Sequence, residues 1–172
     1  MIAYVVLLGL MGVGKTTVGR ALARRLCWRL RDSDEEIAAL TGQTAAELKR
    51  TVGADELHAL EAEQLLTALA GEPRAVVCAA ASVVDVGRCR AALGGAAVFT
   101  VWLRARPRQL ADRFARQPHR PAYGDDPLTF LTSQLQARGR LFESVATLSI
   151  DASADGPGGI AEQIIAAAGL DR

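Results

Sequence analysis

Hydrophobic positions along the chain form short apolar runs that alternate with amphipathic helical stretches. Five runs predict strands, at 2–8, 28–31, 74–78, 97–103 and 146–150. The first run is apolar throughout and the fourth is apolar except for Thr100, as is typical of strands buried on both faces of a parallel sheet. Helical patterns lie between and after them, at 15–26, 34–40, from Thr44 onward, and at 54–70, 83–93, 107–116, 128–143 and 159–168. This alternation predicts an α/β fold with a parallel sheet covered by helices on both faces.

Length and composition narrow the range of functions. The 172 residues predict a single domain, 1–172, and the formal net charge of +1 predicts neither a nucleic-acid partner nor an anionic membrane surface. The apolar N-terminus is short and lacks a basic lead, so we do not expect a signal peptide. No run approaches the roughly 18 apolar residues of a membrane span. Three cysteines without C-x-x-C spacing predict buried or half-buried thiols in a reducing cytoplasm.

The nine residues after the first predicted strand are G-L-M-G-V-G-K-T-T and open a helical pattern. Glycines at this spacing let successive backbone N–H groups point inward, where they and the helix N-terminus can hold a polyphosphate. Lys15 would reach the β- and γ-phosphates, and the Thr16 hydroxyl would ligate Mg²⁺. The stretch therefore predicts an ATP-binding loop with the candidate residues Gly9, Met11, Gly12, Val13, Gly14, Lys15, Thr16 and Thr17.

Two carboxylates and one arginine supply the other groups that phosphoryl transfer needs. Asp32 and Asp34 follow the second predicted strand, at the edge where open α/β sheets place ligands. Asp32 could hold Mg²⁺ and Asp34 could accept the proton of an acceptor hydroxyl; alternatively, Asp32 or Ser33 simply caps the next helix. Arg120 lies in the irregular stretch 117–127, which predicts either a lid or a surface loop without a role.

Together, the loop, Asp32-x-Asp34, Arg120-Pro121 and Arg138-x-x-x-Phe142 resemble the shikimate kinases, P-loop kinases of the nucleoside monophosphate kinase type. The resemblance extends from Val5 to about Pro157. It implies a three-layer α/β/α fold with a five-stranded parallel sheet, Mg²⁺ and ATP as donor, and a monomer. It also implies an acceptor-binding helical region at about 33–62 and a lid at about 117–127.

The same resemblance assigns roles to single positions. Asp32 matches a position linked to Mg²⁺ through water, and Asp34 the carboxylate that engages the acceptor hydroxyl. Arg120 matches a lid arginine near the transferred phosphate, and Arg138 an arginine that grips the substrate carboxylate. Two further positions, Arg113 and Pro157, fall where the family sandwiches adenine.

The chain departs from the family pattern at two places in the acceptor half. His58 stands where the family has a second carboxylate-binding arginine, and Ala80, Ala81 and Ser82 stand on three consecutive glycines. Histidine is mostly neutral at pH 7 and cannot form the bidentate fork of arginine. The added β-carbons would narrow a pocket where backbone meets ligand.

These departures favour a cyclitol, polyol or sugar over shikimate as the small-molecule hydroxyl acceptor, although shikimate itself stays open. A nucleotide or nucleoside kinase and an ATP-binding protein without catalysis are also compatible with the sequence. The nucleotide kinase is the less favoured enzyme, because the acceptor region offers only Lys49 and Arg50 as cations beside His58.

Overall fold

The computed structural model describes residues 1–115 and 126–170. Within these residues five strands form one sheet with the order β2-β3-β1-β4-β5, and every neighbouring pair is parallel. The strands are β1 Tyr4–Leu8, β2 Arg29–Asp32, β3 Ala75–Cys78, β4 Val98–Arg104 and β5 Leu148–Asp151. The predicted parallel sheet is confirmed, with strand ends displaced by one or two residues.

Helices cover both faces of this sheet. They are α1 Lys15–Leu26, α2 Ser33–Thr41, α3 Ala45–Thr51, α4 Ala54–Ala70, α5 Gly87–Leu93, α6 Pro107–Ala115, α7 Pro127–Val145 and α8 Pro157–Ala168, with a 3₁₀ segment at Ala81–Asp85. Helix α1 packs against α8 and contacts β1, β2 and β3, whereas α5 and α7 contact β4. The predicted three-layer α/β/α architecture is confirmed. Among the described residues, no helix has the length and apolar character needed to cross a membrane.

The helix predicted at 83–93 is wrong in its first half. The chain forms a 3₁₀ segment up to Asp85, passes through extended backbone at Val86 (φ −95°, ψ 119°) and begins α5 only at Gly87. Valine is stiff at χ1 and is a weak helix former, and three valines lie between positions 83 and 86. Arg90 Nη1 donates to the carbonyl oxygen of Val84 at 2.6 Å and holds this break. The break places Asp85 at the end of a segment that contacts α7.

Side chains set several helix ends. Thr44 and Glu47 form the predicted capping box at the start of α3. Asp32 caps α2, because its carboxylate accepts from the backbone N–H groups of Asp34 and Glu35. Asp126 caps α7, whose first residue is Pro127. The irregular stretch expected at 117–127 is therefore helical at its last residue, and its positions 117–125 lie outside the described residues.

The core is continuous beneath the loop that follows β1. The side chains of β1 are buried and belong to a hydrophobic cluster that includes residues of β3, β4 and β5, and Leu30 of β2 packs against it. Gly19 lets α1 lie close to β3, because a Cβ at this position would be 2.5 Å from the Cys78 sulfur. A separate small cluster, Ile37, Leu48 and Leu57, packs α2, α3 and α4 together. Cys27, which we expected to be at least half-buried, is exposed.

Candidate active site

The loop between β1 and α1 has the conformation that its glycines predict. Gly9, Gly12 and Gly14 have φ values of 144°, 78° and 107°. At Gly9 a Cβ would also be 2.5 Å from the carbonyl oxygen of Leu103 on β4. Another residue at Gly9 would therefore strain the backbone and push the loop away from the sheet.

Lys15, the first residue of α1, points back over this loop. Its Nζ donates to the carbonyl oxygens of Gly9 at 2.9 Å and Leu10 at 3.3 Å. Burial lowers the pKa of the Lys15 ammonium, and the nearby Asp34 carboxylate opposes that shift. The ammonium is thus held where it could contact the oxygens of a phosphate group bound in the loop.

A cavity of about 690 Å³ opens on the outer side of the loop, and we call it the donor cavity. Arg113 on α6 reaches across to the loop, where its Nη1 donates to the carbonyl oxygen of Val13 at 3.4 Å. Pro157 borders the same cavity from the start of α8. The loop residues that line the cavity are Met11, Gly12, Val13, Gly14, Lys15, Thr16 and Thr17. The structure thus brings Arg113 and Pro157 to one cavity with the loop, while their contact with adenine stays a prediction.

Thr16 and Asp32 meet beneath the loop. The Thr16 hydroxyl donates to Asp32 Oδ2 at 2.7 Å, and the Asp32 carboxylate is buried. A hydroxyl and a carboxylate oxygen are ligands that Mg²⁺ prefers, and this ion usually takes one or two protein ligands together with waters and phosphates. No group of three or more His, Cys, Asp or Glu side chains suited to a metal occurs in the described part of the chain. Thr16 and Asp32 therefore fit a Mg²⁺ ion whose remaining ligands would be waters and phosphate oxygens of the nucleotide.

A second, smaller cavity of about 230 Å³ lies on the other side of the loop, and we call it the acceptor cavity. It is enclosed by α2, α3, α4, α7 and the 3₁₀ segment. Every expected acceptor residue lines it: Asp34, His58, Ala80, Ala81, Ser82 and Arg138. Lys15, Thr16 and Asp34 line both cavities. Asp34 thus lies at the boundary where a donor phosphate and an acceptor hydroxyl would meet.

His58 lies on α4 and is half-buried in the acceptor cavity. Burial lowers the pKa of its imidazole, and the positive charge of Arg138 lowers it further, while Asp85 acts in the opposite direction. With a pKa below its usual value of about 6.5, His58 is neutral at pH 7. It can exchange hydrogen bonds with a hydroxyl, but it does not supply a positive charge.

Arg138 on α7 is already paired with residues of its own chain. Its Nε and Nη2 donate to Asp85 Oδ2 at 2.9 and 2.6 Å, and its Nη1 donates to Gln134. The Arg138 side chain is 11% exposed and that of Asp85 is 42% exposed. The sequence does not predict the pairing of Asp85 with Arg138, because a helix at 83–93 would not by itself place Asp85 against α7.

Glu61 is a buried carboxyl group of the acceptor cavity that the sequence pattern does not single out. It lies on α4, one turn after His58, and accepts a hydrogen bond from the Ser82 hydroxyl. Burial raises the pKa of Glu61 to about 6, and the Ser82 hydrogen bond partly offsets the shift. Ser82, expected against the substrate, therefore directs its hydroxyl to Glu61. The only sequence signal for Glu61 is its place at the end of the family segment that contains His58.

Two other features of the acceptor cavity emerge only in three dimensions. The Ser33 hydroxyl is buried, lines the cavity and has no hydrogen-bond partner among residues 1–115 and 126–170. At the rim, Lys49 Nζ on α3 lies 5.8 Å from the ring centroid of Phe130 on α7. Arg120, expected to close over the phosphates, lies outside the described residues.

Comparison with known proteins identifies the family. A family model described as shikimate kinase matches residues 11–168. The chain belongs to the shikimate kinase family. A shikimate kinase from Thermobifida fusca (strain YX) is 36% identical over 159 residues, which cover 92% of this chain and 91% of the relative. One from Streptomyces coelicolor (strain ATCC BAA-471 / A3(2) / M145) is 35% identical over 143 residues, covering 83% and 82%.

Solved structures of shikimate kinases have the same fold. The shikimate kinase from Acinetobacter baumannii in complex with shikimate superposes with a TM-score of 0.87 and 26% identity, covering 96% of this chain and 92% of that one. A gluconokinase from Sinorhizobium meliloti 1021, with a TM-score of 0.65 and 20% identity, shares the fold alone. As a shikimate kinase family member, the chain is an ATP-dependent phosphotransferase that acts on a hydroxyl group, and the family uses Mg²⁺ with ATP.

Proposed function

We propose that this kinase transfers the γ-phosphoryl group of ATP to a hydroxyl of a small neutral cyclitol, polyol or sugar bound in the acceptor cavity. One observation supports the proposal most directly. Asp34 lies at the boundary of the donor and acceptor cavities, beside the half-buried Lys15 ammonium. A proton acceptor and a phosphate-binding cation at one boundary are what in-line transfer to a hydroxyl requires.

The side chains divide the work as follows. Backbone N–H groups of residues 9–17 and Lys15 hold the phosphates, and Arg113 and Pro157 flank the adenine. Asp34 accepts the proton of the acceptor hydroxyl while the oxygen of that hydroxyl attacks the γ-phosphorus. The bond between the γ-phosphorus and the β-γ bridging oxygen breaks, and ADP is released. Thr16 and Asp32 would hold Mg²⁺, which supplies positive charge to the phosphates. The proposed lid residue Arg120 would add positive charge near the transferred phosphate.

The walls of the acceptor cavity support a neutral, hydroxyl-rich acceptor. His58 is neutral at pH 7. The methyl groups of Ala80 and Ala81 line the acceptor cavity and leave less room for the acceptor than glycines would. The buried Ser33 hydroxyl has no partner among the described residues, and a buried polar atom of this kind costs free energy unless it is hydrogen-bonded. A polyol hydroxyl could form the missing hydrogen bond with Ser33. An acceptor carboxylate, by contrast, would meet a neutral His58 where a second arginine would have supplied a positive charge.

Shikimate is the second candidate acceptor. In its favour are the names of the relatives, the Acinetobacter baumannii enzyme's complex with shikimate, and the presence of Asp34 and Arg138 in this chain. A nucleotide acceptor is less well supported, since His58, Lys49 and Arg50 are the basic side chains of the region 33–62.

The test is a panel of acceptors incubated with the purified protein and Mg-ATP. The panel contains cyclic polyols, sugars, shikimate and nucleoside monophosphates, with ADP release and phosphorylated product measured together. We expect product from a neutral polyol and little from shikimate. Efficient turnover of shikimate alone would contradict the neutral acceptor, and ATP binding without turnover of any acceptor would support a non-catalytic ATP-binding protein.

Asp34→Asn tests the assigned base. We expect kcat to fall by about 10²–10⁴-fold while ATP affinity changes little, because the variant keeps the size of the side chain and loses its basicity. Asp55→Asn, an exposed carboxylate at the start of α4 that lines neither cavity, is the matched control. An unchanged kcat in Asp34→Asn would remove Asp34 from the reaction.

A further inference from the structure

Arg138 carries a fixed positive charge that is almost withdrawn from solvent. Its side chain is 11% exposed, and a guanidinium in such a place is costly unless a negative partner and hydrogen bonds compensate it. Asp85 supplies that partner through two hydrogen bonds, from Nε and Nη2, to one carboxylate oxygen. The edge of the guanidinium formed by Nε and Nη2, one of its two edges that can bind a carboxylate in a fork, is therefore occupied by the chain itself.

The surrounding charges leave no excess of positive charge on this side of the acceptor cavity. Two carboxyl groups act on Arg138: Asp85 directly and Glu61 through space. His58 is neutral at pH 7 and Lys49 is exposed at the rim. A carboxylate on the acceptor would be a third negative group around one guanidinium, and it would have to displace Asp85 to use the Nε–Nη2 edge.

Local backbone structure makes this pairing possible. Asp85 is the last residue of the 3₁₀ segment, and Val86 turns the chain into α5. The segment contacts α7, so Asp85 and Arg138 meet although they lie 53 positions apart in the sequence. The sequence on its own gives no sign of this contact.

We propose that Asp85 is a specificity-determining residue that closes the acceptor cavity to carboxylates by holding Arg138 in an internal ion pair. The inference rests on the proposed function and names the acceptor class more narrowly: a molecule that offers hydroxyls and no negative charge near Arg138. Removing the charge of Asp85 then leaves the positive charge of Arg138 and its Nε–Nη2 edge available to a carboxylate.

The experiment compares shikimate with its carboxamide, which keeps the hydroxyls and nearly the same shape but carries no charge. Dissociation constants are measured by calorimetry in the presence of ADP, for the unaltered protein and for Asp85→Asn. We expect the variant to bind shikimate about 10- to 100-fold more tightly and to bind the carboxamide within about twofold of the unaltered protein, since hydrogen bonds to charged groups are of this strength. Asp112→Asn, an exposed residue of α6, is the control and should change neither constant.

A double variant shows whether the gain passes through Arg138. Asp85→Asn combined with Arg138→Met should lose the gain for shikimate, whereas a gain that persists would overturn the proposal. No tightening of shikimate in Asp85→Asn, including no measurable binding at all, would overturn it as well. Thermal melting checks that each variant folds, and Asp85→Ser replaces Asp85→Asn if the latter does not.

These outcomes separate the inference from the proposed function. Tighter shikimate binding in Asp85→Asn without phosphoryl transfer to any acceptor would support the role of Asp85 and contradict the kinase activity on polyols. Equal turnover of a neutral polyol by both proteins, without tighter shikimate binding, would support the activity and contradict the role of Asp85.

Discussion

The donor and acceptor cavities are built in different ways, although they share a wall. The donor side depends on nine consecutive residues whose backbone curls because three glycines have positive φ. The acceptor side depends on side chains from α2, α4, α7 and the 3₁₀ segment, and its charges pair with one another. The donor half can therefore be predicted from a local motif, whereas the chemistry of the acceptor half depends on how charged side chains from different elements pair with one another. Phosphate binding and acceptor choice should accordingly respond to different substitutions.

Among the tests of this contrast between the cavities, Lys15→Met should have the largest effect, and it should slow the reaction with every acceptor alike. The half-buried ammonium donates to the loop carbonyl oxygens of Gly9 and Leu10, so it would face phosphate whichever acceptor is bound. We expect kcat to fall by about 10²–10³-fold, the usual cost of removing one preorganised group that stabilises the developing charge. Steady-state kinetics with two chemically different acceptors measures the effect.

The control for this variant is Arg24→Met, on the exposed side of the same helix. It should leave kcat and the KM for ATP within about twofold of the unaltered values. If Lys15→Met slowed one acceptor a hundredfold and left the other unchanged, the donor side would not be independent of the acceptor, and the contrast between the cavities would fail.

Much of the donor side and most of the fold follow from the sequence, because their determinants are local. Hydrophobic runs, the capping box of Thr44 and Glu47, and the loop spacing each act within a few residues. Helix α4 has the predicted bounds, and the parallel sheet has the predicted five strands within the described residues. The helix predicted at 83–93 fails for a local reason too, since valines at 83, 84 and 86 favour a break that periodicity does not show.

The acceptor side could be predicted only as a set of lining positions. The partners that define its chemistry are distant in sequence: Arg138 and Asp85 are 53 positions apart, and Ser82 and Glu61 are 21 apart. In the sequence, Asp85 and Glu61 look like ordinary surface carboxylates of helices; only the packing brings Asp85 to Arg138 and Glu61 to Ser82. A motif names Arg138 as a carboxylate anchor, but whether that anchor is available depends on a residue outside the motif.

Glu61→Gln sharpens the contrast through stability. The pKa of Glu61 is raised to about 6 chiefly by burial, so the folded protein binds this proton more tightly than the unfolded chain does. Its contribution to stability is therefore full below pH 4.5 and is lost as pH rises to about 6. The free energy of unfolding should fall by up to about 2 kcal/mol across that window, at about 1.36 kcal/mol per pKa unit.

In Glu61→Gln that fall should disappear, and urea unfolding between about pH 4.5 and pH 7 measures it. Glu56→Gln, an exposed position of the same helix, should keep the fall and serves as the control. A Glu61→Gln protein with the same pH dependence as the unaltered protein would mean that the carboxyl group is as solvated in the folded state as in the unfolded state.

The smallest expected effect concerns His58 and the KM for an anionic acceptor. Because burial and Arg138 lower the pKa of the imidazole, the charged form appears only below about pH 6.5. The KM for shikimate should stay flat from pH 8 to pH 6.5 and improve by no more than about threefold below it, the strength of a weak ion pair. The series is best run in Glu61→Gln, since Glu61 titrates near pH 6 in the same cavity. His58→Gln should remove the improvement. A KM for shikimate that already improves between pH 8 and pH 7 would show that a group of the acceptor cavity gains positive charge near neutral pH, and the contrast with the donor cavity would then fail.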